Sequence, residues 1–129
     1  MRVGLIVADA PHLKTEMVAI ALSAKTGLEI AIVALPYVHR KPRTVFFVHR
    51  PDQKQSVPLV ELARGLGLGF FKVDSLEKIH GDDFDYFLMT GGTLIPGEFV
   101  AKNRGKIINC HPGLIPQTRG LDSFKWAIS

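Results

Sequence analysis

Val3 to Ala8 is an almost unbroken apolar run, and a strand that is apolar at nearly every position has no face to give to water. Such strands belong to parallel sheets with helices packed on both sides. The rest of the chain repeats that alternation. Leu13, Met17, Ile20, Ala21 and Ala24 recur at helical spacing and are expected to form the buried stripe of a first helix, with Gly27 as its stop. Leu28 to Leu35 and Thr44 to Val48 read as strands, with Lys41-Pro42-Arg43 as a loop between them. Ser56 is expected to cap a second helix in which Pro58 stands near the start and Leu59, Leu62, Ala63 and Leu66 form the apolar stripe. Further strands are predicted over Gly69 to Val73, Asp85 to Met89 and Lys106 to Cys110. A short helix or turn is expected near Leu76 to Ile79, another helix over Pro96 to Ala101, and a last one capped by Asp122. The predicted fold class is α/β: an open parallel sheet with flanking helices.

With 129 residues, 47% of them hydrophobic and 22% charged, the chain falls in the size range of one domain, and residues 1–129 are read as a single unit. No apolar run approaches the roughly 20 residues needed to span a bilayer, and no signal sequence opens the chain. A soluble, cytoplasmic protein is expected. The single cysteine, Cys110, excludes an internal disulfide and is expected to be buried. His39, His49, His80 and His111 lack metal-ligand spacing, so no metal is expected. The net charge of +4 gathers in His39, Arg40, Lys41, Arg43, His49, Arg50 and Lys54, within sixteen residues whose one acid is Asp52. That patch reads as a solvated basic loop or as an attractor of anionic substrates; nucleic-acid binding is not expected.

The chemistry-bearing residues gather where the last predicted strand ends. Alternation sends Asn109 and His111 to one face and Cys110 to the other, and Pro112 biases His111 towards an extended backbone. In an open parallel sheet, ligands collect outside the carboxyl ends of the strands. An amide that donates to a developing oxyanion and a histidine that moves protons are what acyl transfer requires, although the same pair could instead anchor the loop. Cys110 is no partner for His111 as a nucleophile, because adjacent strand residues face apart. No Gly-x-Gly-x-x-Gly follows the first strand, which argues against a dinucleotide site.

Asn109-Cys110-His111-Pro112-Gly113-Leu114-Ile115-Pro116, followed by Arg119-Gly120, resembles the signature of the tetrahydrofolate-dependent formyltransferase family. That family includes glycinamide ribonucleotide, methionyl-tRNA and sugar-amine enzymes. Thr90 to Pro96 is similar to the family segment whose backbone holds the pteridine, and Val45 to Asp52 resembles the strand and Pro-Asp turn of methionyl-tRNA members. The resemblance implies a Rossmann-like formyltransferase fold and transfer of a formyl group from 10-formyltetrahydrofolate to a primary amine. It implies catalytic roles for Asn109 and His111, donor contacts at Gly92, Thr93, Leu94, Ile95 and Asn109, and acceptor contacts at Pro112, Gly113 and Arg119.

Relatives also use an aspartate a few dozen residues beyond the histidine, a position past Ser129; Asp122 is too near and is expected to cap a helix. The expectation is therefore a domain truncated at its C-terminus, prone to dimerise through uncovered sheet. A binding module without turnover, or an inert fragment, is the alternative. Between the first predicted strand and helix, Ala8 to His12 lacks the glycine-rich phosphate loop of glycinamide ribonucleotide enzymes. Gly120-Leu121-Asp122 and Lys125-Trp126-Ala127-Ile128 look closer to the sugar-amine branch, so a nucleotide-linked amino sugar is the expected acceptor.

Overall fold

The structure, a computed structural model, describes residues 1–39, 56–91 and 93–110. Strands β1 (Arg2–Ala8), β2 (Glu29–Leu35), β3 (Gly69–Lys72), β4 (Tyr86–Met89) and β5 (Ile107–Asn109) alternate with helices α1 (Leu13–Ser23), α2 (Leu59–Leu66) and α3 (Gly97–Lys102). Short 3-10 turns at Leu76–Lys78 and Gly81–Asp83 join β3 to β4. The strands form one parallel sheet in the order β3-β2-β1-β4-β5, as expected for an open α/β sheet. The predicted strand Thr44 to Val48, its preceding loop and the helix capped by Asp122 lie outside the described residues.

Alternation along the two central strands builds the two faces of the core. Val3, Leu5 and Val7 of β1, with Ile30, Ile32 and Ala34 of β2, pack under Ala19 of α1 and Leu59, Leu62 and Ala63 of α2. Ile6, Ala31, Val33 and Leu35 face the other way, onto Leu76, Phe84, Phe87 and Phe99. Phe87 is fully buried, with the Phe84 and Phe99 rings each centred 5.1 Å away. Gly4 makes room for this aromatic stack, since a Cβ there would stand 3.0 Å from the Phe87 ring.

The buried face of α1 is not the predicted one. Thr15 and Ala19 are buried and Val18 and Leu22 pack on the core, while Met17 and Ile20 are 63% and 49% exposed and Ala21 and Ala24 also face outward. From Met17 to Leu22 the helix is apolar all round and offers several stripes of equal merit, and here a polar contact of Thr15 selects among them. Ser56 does not cap α2 either. Its hydroxyl donates to Glu16 Oε2 at 2.6 Å and the Val57 amide donates to the same oxygen at 3.3 Å, so Glu16 fastens the approach to α2 onto α1. Pro58 occupies the cap position without a side-chain bond. The stripe predicted for α2 is observed, and Gly67, at φ 67°, ends the helix with Leu68 N bonded back to Ala63 O.

Truncation of Phe87 to alanine is expected to lower the unfolding free energy by about 3–5 kcal/mol, read from the urea midpoint. Met17→Ser, on the outward face of α1, should change it by less than about 0.5 kcal/mol. A Met17 variant as damaging as the Phe87 one would put the wrong face of α1 on the sheet.

Candidate functional site

The chain runs outward from β1 through β2 to β3, then returns to place β4 on the opposite side of β1. The connections leaving β1 and β4 therefore diverge, and a crevice opens between their carboxyl ends. Beyond β1 come Asp9, Ala10, Pro11 and His12, and beyond β4 come Thr90 and Gly91. β5 continues the row, with Asn109 paired to Met89 and Met89 to Ile6. Asn109 thus stands about 10 Å across the sheet from β1, at two strand spacings.

Gly91 is where the two connections touch. A Cβ on Gly91 would lie 2.5 Å from Val7 Cγ2 and 3.5 Å from His12 Nδ1, so a larger residue would force the β4 connection off the β1 turn. Thr93 N then donates to Gly91 O at 2.8 Å. A cavity of about 610 Å³ results, with Val7 and Ala8 as its floor, Ala10 to His12 and Pro36 to Val38 as its walls, and Thr93 and Leu94 across from them. Its volume suits a small-molecule ligand. A smaller cavity, of about 280 Å³, lies near Asn103 and Lys106 before β5, at the opposite end of the strands from the crevice. Among the described residues no group of three or more His, Cys, Asp or Glu side chains is placed to hold a metal ion. No described helix is long and apolar enough to cross a membrane.

Of the residues singled out by sequence, Thr93 and Leu94 line the larger cavity, and Leu94 is 88% exposed. Ile95 turns away and packs on the Phe87 and Phe99 cluster, leaving only its backbone for a ligand. Asn109 is exposed at the end of β5. Gly92, His111, Pro112, Gly113 and Arg119 lie outside the described residues. Cys110 is exposed rather than buried. The strand it follows is the last of the described sheet, so one side of it has no strand among the described residues to cover it. Its carbonyl accepts a 3.4 Å bond from Lys14 Nζ, which links the first turn of α1 to the position just before His111.

Sequence reasoning passed over His12, because the feature it sought after β1 was a glycine. His12 caps α1: Nδ1 accepts from Thr15 N at 3.4 Å and lies 3.1 Å from Thr15 Oγ1. Thr15 Oγ1 bonds Thr90 Oγ1 at 3.0 Å, and both threonines are buried. Thr90 closes the chain on Ile6 O through its amide, at 3.0 Å, and its hydroxyl, at 3.3 Å. Among the described residues this network is the polar link between the α1 turn and the segment entering the Thr93 loop. The only hint in the sequence is a histidine four residues after an apolar strand, where a Ser, Thr, Asp or Asn cap is the usual choice. Asp9, by contrast, pairs in the open with Lys72 at 2.6 Å, a contact of small energetic weight.

Burial lowers the His12 pKa below 6.5, and the nearby Lys14 charge lowers it further. The unfolded chain therefore binds a proton at His12 before the folded one does. The associated stability is present above pH 6.5 and is lost as pH falls from there towards the lower folded value. His12→Asn keeps a capping side chain but does not titrate. Its thermal midpoint should fall less than that of the unaltered chain between about pH 7.5 and 5.5. Equal losses in the two proteins would mean that His12 does not carry this acid sensitivity.

Residues 73–129 match the family model described as formyl transferase. No curated protein matches the chain in sequence. Among solved structures, the chain is similar to phosphoribosylglycinamide formyltransferase from Anaplasma phagocytophilum, with a TM-score of 0.69 and 23% identity over 99% of this chain and 57% of that one. Glycinamide ribonucleotide transformylase 1 from Geobacillus kaustophilus gives a TM-score of 0.62 and 21% identity, over 98% and 66%. A formyltetrahydrofolate deformylase from Pseudomonas syringae pv. tomato gives 0.63 and 13%, over 98% and 41%. The chain thus spans a little over half the length of the first of these. It resembles the formyl transferase family in sequence over residues 73–129 and, across its described sheet and helices, shares the fold of these solved structures.

Proposed function

We propose that the crevice serves formyl transfer from 10-formyltetrahydrofolate to a primary amine. The observation that carries this reading is the position of Asn109 at the carboxyl end of β5, in register with Met89 and beside the Thr90 to Ile95 connection, inside the segment matched by the formyl transferase model. A cavity with largely apolar walls, lined also by Thr93 and Leu94, suits a flat heterocycle that needs both stacking area and a few hydrogen bonds. When bound, the donor supplies an activated formyl carbon. The amine adds to that carbon, the bond from the carbon to the folate nitrogen breaks, and that nitrogen takes up the proton released by the amine. Asn109 donates its amide to the carbonyl oxygen as charge develops on it. His111, two residues on, supplies a second donor and carries the proton.

The acceptor we propose is an amino sugar, supported by the likeness of Gly120-Leu121-Asp122 and Lys125-Trp126-Ala127-Ile128 to that branch. Two of the solved neighbours bear names for a phosphorylated glycinamide acceptor. Against that acceptor stands the turn after β1, where Ala10, Pro11 and His12 occupy the place of a glycine-rich phosphate loop.

The test is formyl transfer from 10-formyltetrahydrofolate to a panel of amino sugars and glycinamide ribonucleotide. Turnover should fall about 10²–10³-fold in Asn109→Ala and about 10²–10⁴-fold in His111→Ala. Donor binding without turnover on any amine would make the domain a binding module. Formate release that needs no amine would assign deformylation of the donor, as in the name of the Pseudomonas neighbour.

A further inference from the structure

Lys14 occupies a place that its own helix disfavours. It stands in the first turn of α1, where the helix dipole repels a cation. Its partner lies across the sheet: Nζ donates to the Cys110 carbonyl at 3.4 Å, ninety-six positions along the chain. The same charge helps to lower the His12 pKa, so it is felt in the turn after β1 as well. The end of β5 has few other restraints. Its three residues pair with β4 alone among the described strands, and Ile108, Asn109 and Cys110 are all exposed. A strand end with one neighbour and little buried surface opens at small cost. The first turn of α1, in contrast, is fixed by the His12 cap and by the buried bond between the Thr15 and Thr90 hydroxyls. β5 runs two strand spacings, about 10 Å, from β1. Only a long side chain leaving α1 can reach that edge, and the four-carbon stem of lysine does so.

Resting on the formyl-transfer reading, we propose that Lys14 is a positioning residue of the reaction centre, which holds the end of β5 against α1 through the Cys110 carbonyl. That carbonyl belongs to the peptide group joining Cys110 to His111, so the bond acts on the backbone between the two residues given catalytic roles. Because the acceptor atom is main chain rather than ligand, the tether works whichever molecule fills the cavity. Acyl transfer is sensitive to such a restraint. The Asn109 amide must meet the developing oxyanion at hydrogen-bonding distance, and a displacement of about 1 Å can lower a rate about 10²-fold. The bond is long and exposed, so it adds little to stability, and its effect falls on the geometry of the strand end.

The experiment combines carbonyl-carbon NMR on the isotope-labelled 129-residue chain with steady-state kinetics. Lys14→Met keeps the apolar stem and removes the donor, whereas Lys14→Arg keeps a donor of similar reach. The Cys110 carbonyl resonance should move upfield in Lys14→Met and stay near its place in Lys14→Arg. The Thr90 amide resonance and the thermal midpoint should hold in both variants. With the amine that turns over, Lys14→Met should lower kcat about tenfold and change KM for donor and amine less than about twofold, and Lys14→Arg should recover most of the loss. An unmoved Cys110 carbonyl or full kcat in Lys14→Met would each overturn the proposal. So would a loss carried by KM, which would make the ammonium a ligand of the substrate. Absence of formyl transfer on every amine in the unaltered chain would overturn the positioning role together with the formyl-transfer reading; a carbonyl shift would then leave Lys14 as a structural tether alone.

Discussion

Everything in this molecule hangs on β1, a strand buried on both faces and paired on both edges. Its odd-numbered side chains meet α1 and α2, Ile6 meets the aromatic layer, and its two neighbours, β2 and β4, take its remaining hydrogen bonds. Full burial of side chains such as Leu5 and Ile6 stabilises the fold by about 1.5–3 kcal/mol each, more than an exposed ion pair such as Lys78 with Asp74 contributes. Because β1 is central, the chain must leave it in opposite directions to build the two halves of the sheet. The crevice at its carboxyl end is a geometric consequence of that central position.

The site inherits its precision from close approach and buried polar pairing. Gly91 brings the β4 connection against Val7 and His12, and the Thr15 and Thr90 hydroxyls tie the two sides together at 3.0 Å. These contacts are short, shielded from water and mutually satisfied, so they hold geometry better than the exposed Asp9 and Lys72 pair nearby. The edge at β5 is built differently. Ile108, Asn109 and Cys110 are exposed, and Lys14 reaches across from α1 to the Cys110 carbonyl. The candidate reaction centre therefore sits beside a rigid wall but on the outermost described strand.

Much of this was legible from residue pattern. Continuous apolar runs announced β1 and β2, the spacing of Leu59, Leu62 and Ala63 gave α2 its buried face, and the Asn109 to Pro116 signature pointed to the family that residues 73–129 match. The phase of α1 was not legible, because Met17, Ile20, Ala19 and Leu22 are all apolar and nothing local distinguishes the inner from the outer set. Ser56 looked like a cap because its type and position suit one; a carboxylate forty residues earlier claimed it. Cys110 read as buried because strand alternation alone does not reveal which strand lies at the edge of the described sheet.

By itself, the sequence determined the class of fold, the position of Asn109 at a strand terminus and the likeness to formyltransferases, since each depends on residues near one another in the chain. Only the tertiary structure decided that β4 lies beside β1, that Gly91 must be small, and that His12, Thr15 and Thr90 form one network. Thr15 and Thr90 are seventy-five positions apart. No local propensity encodes such a pairing; it exists because two strands buried side by side bring their carboxyl ends within hydrogen-bonding reach.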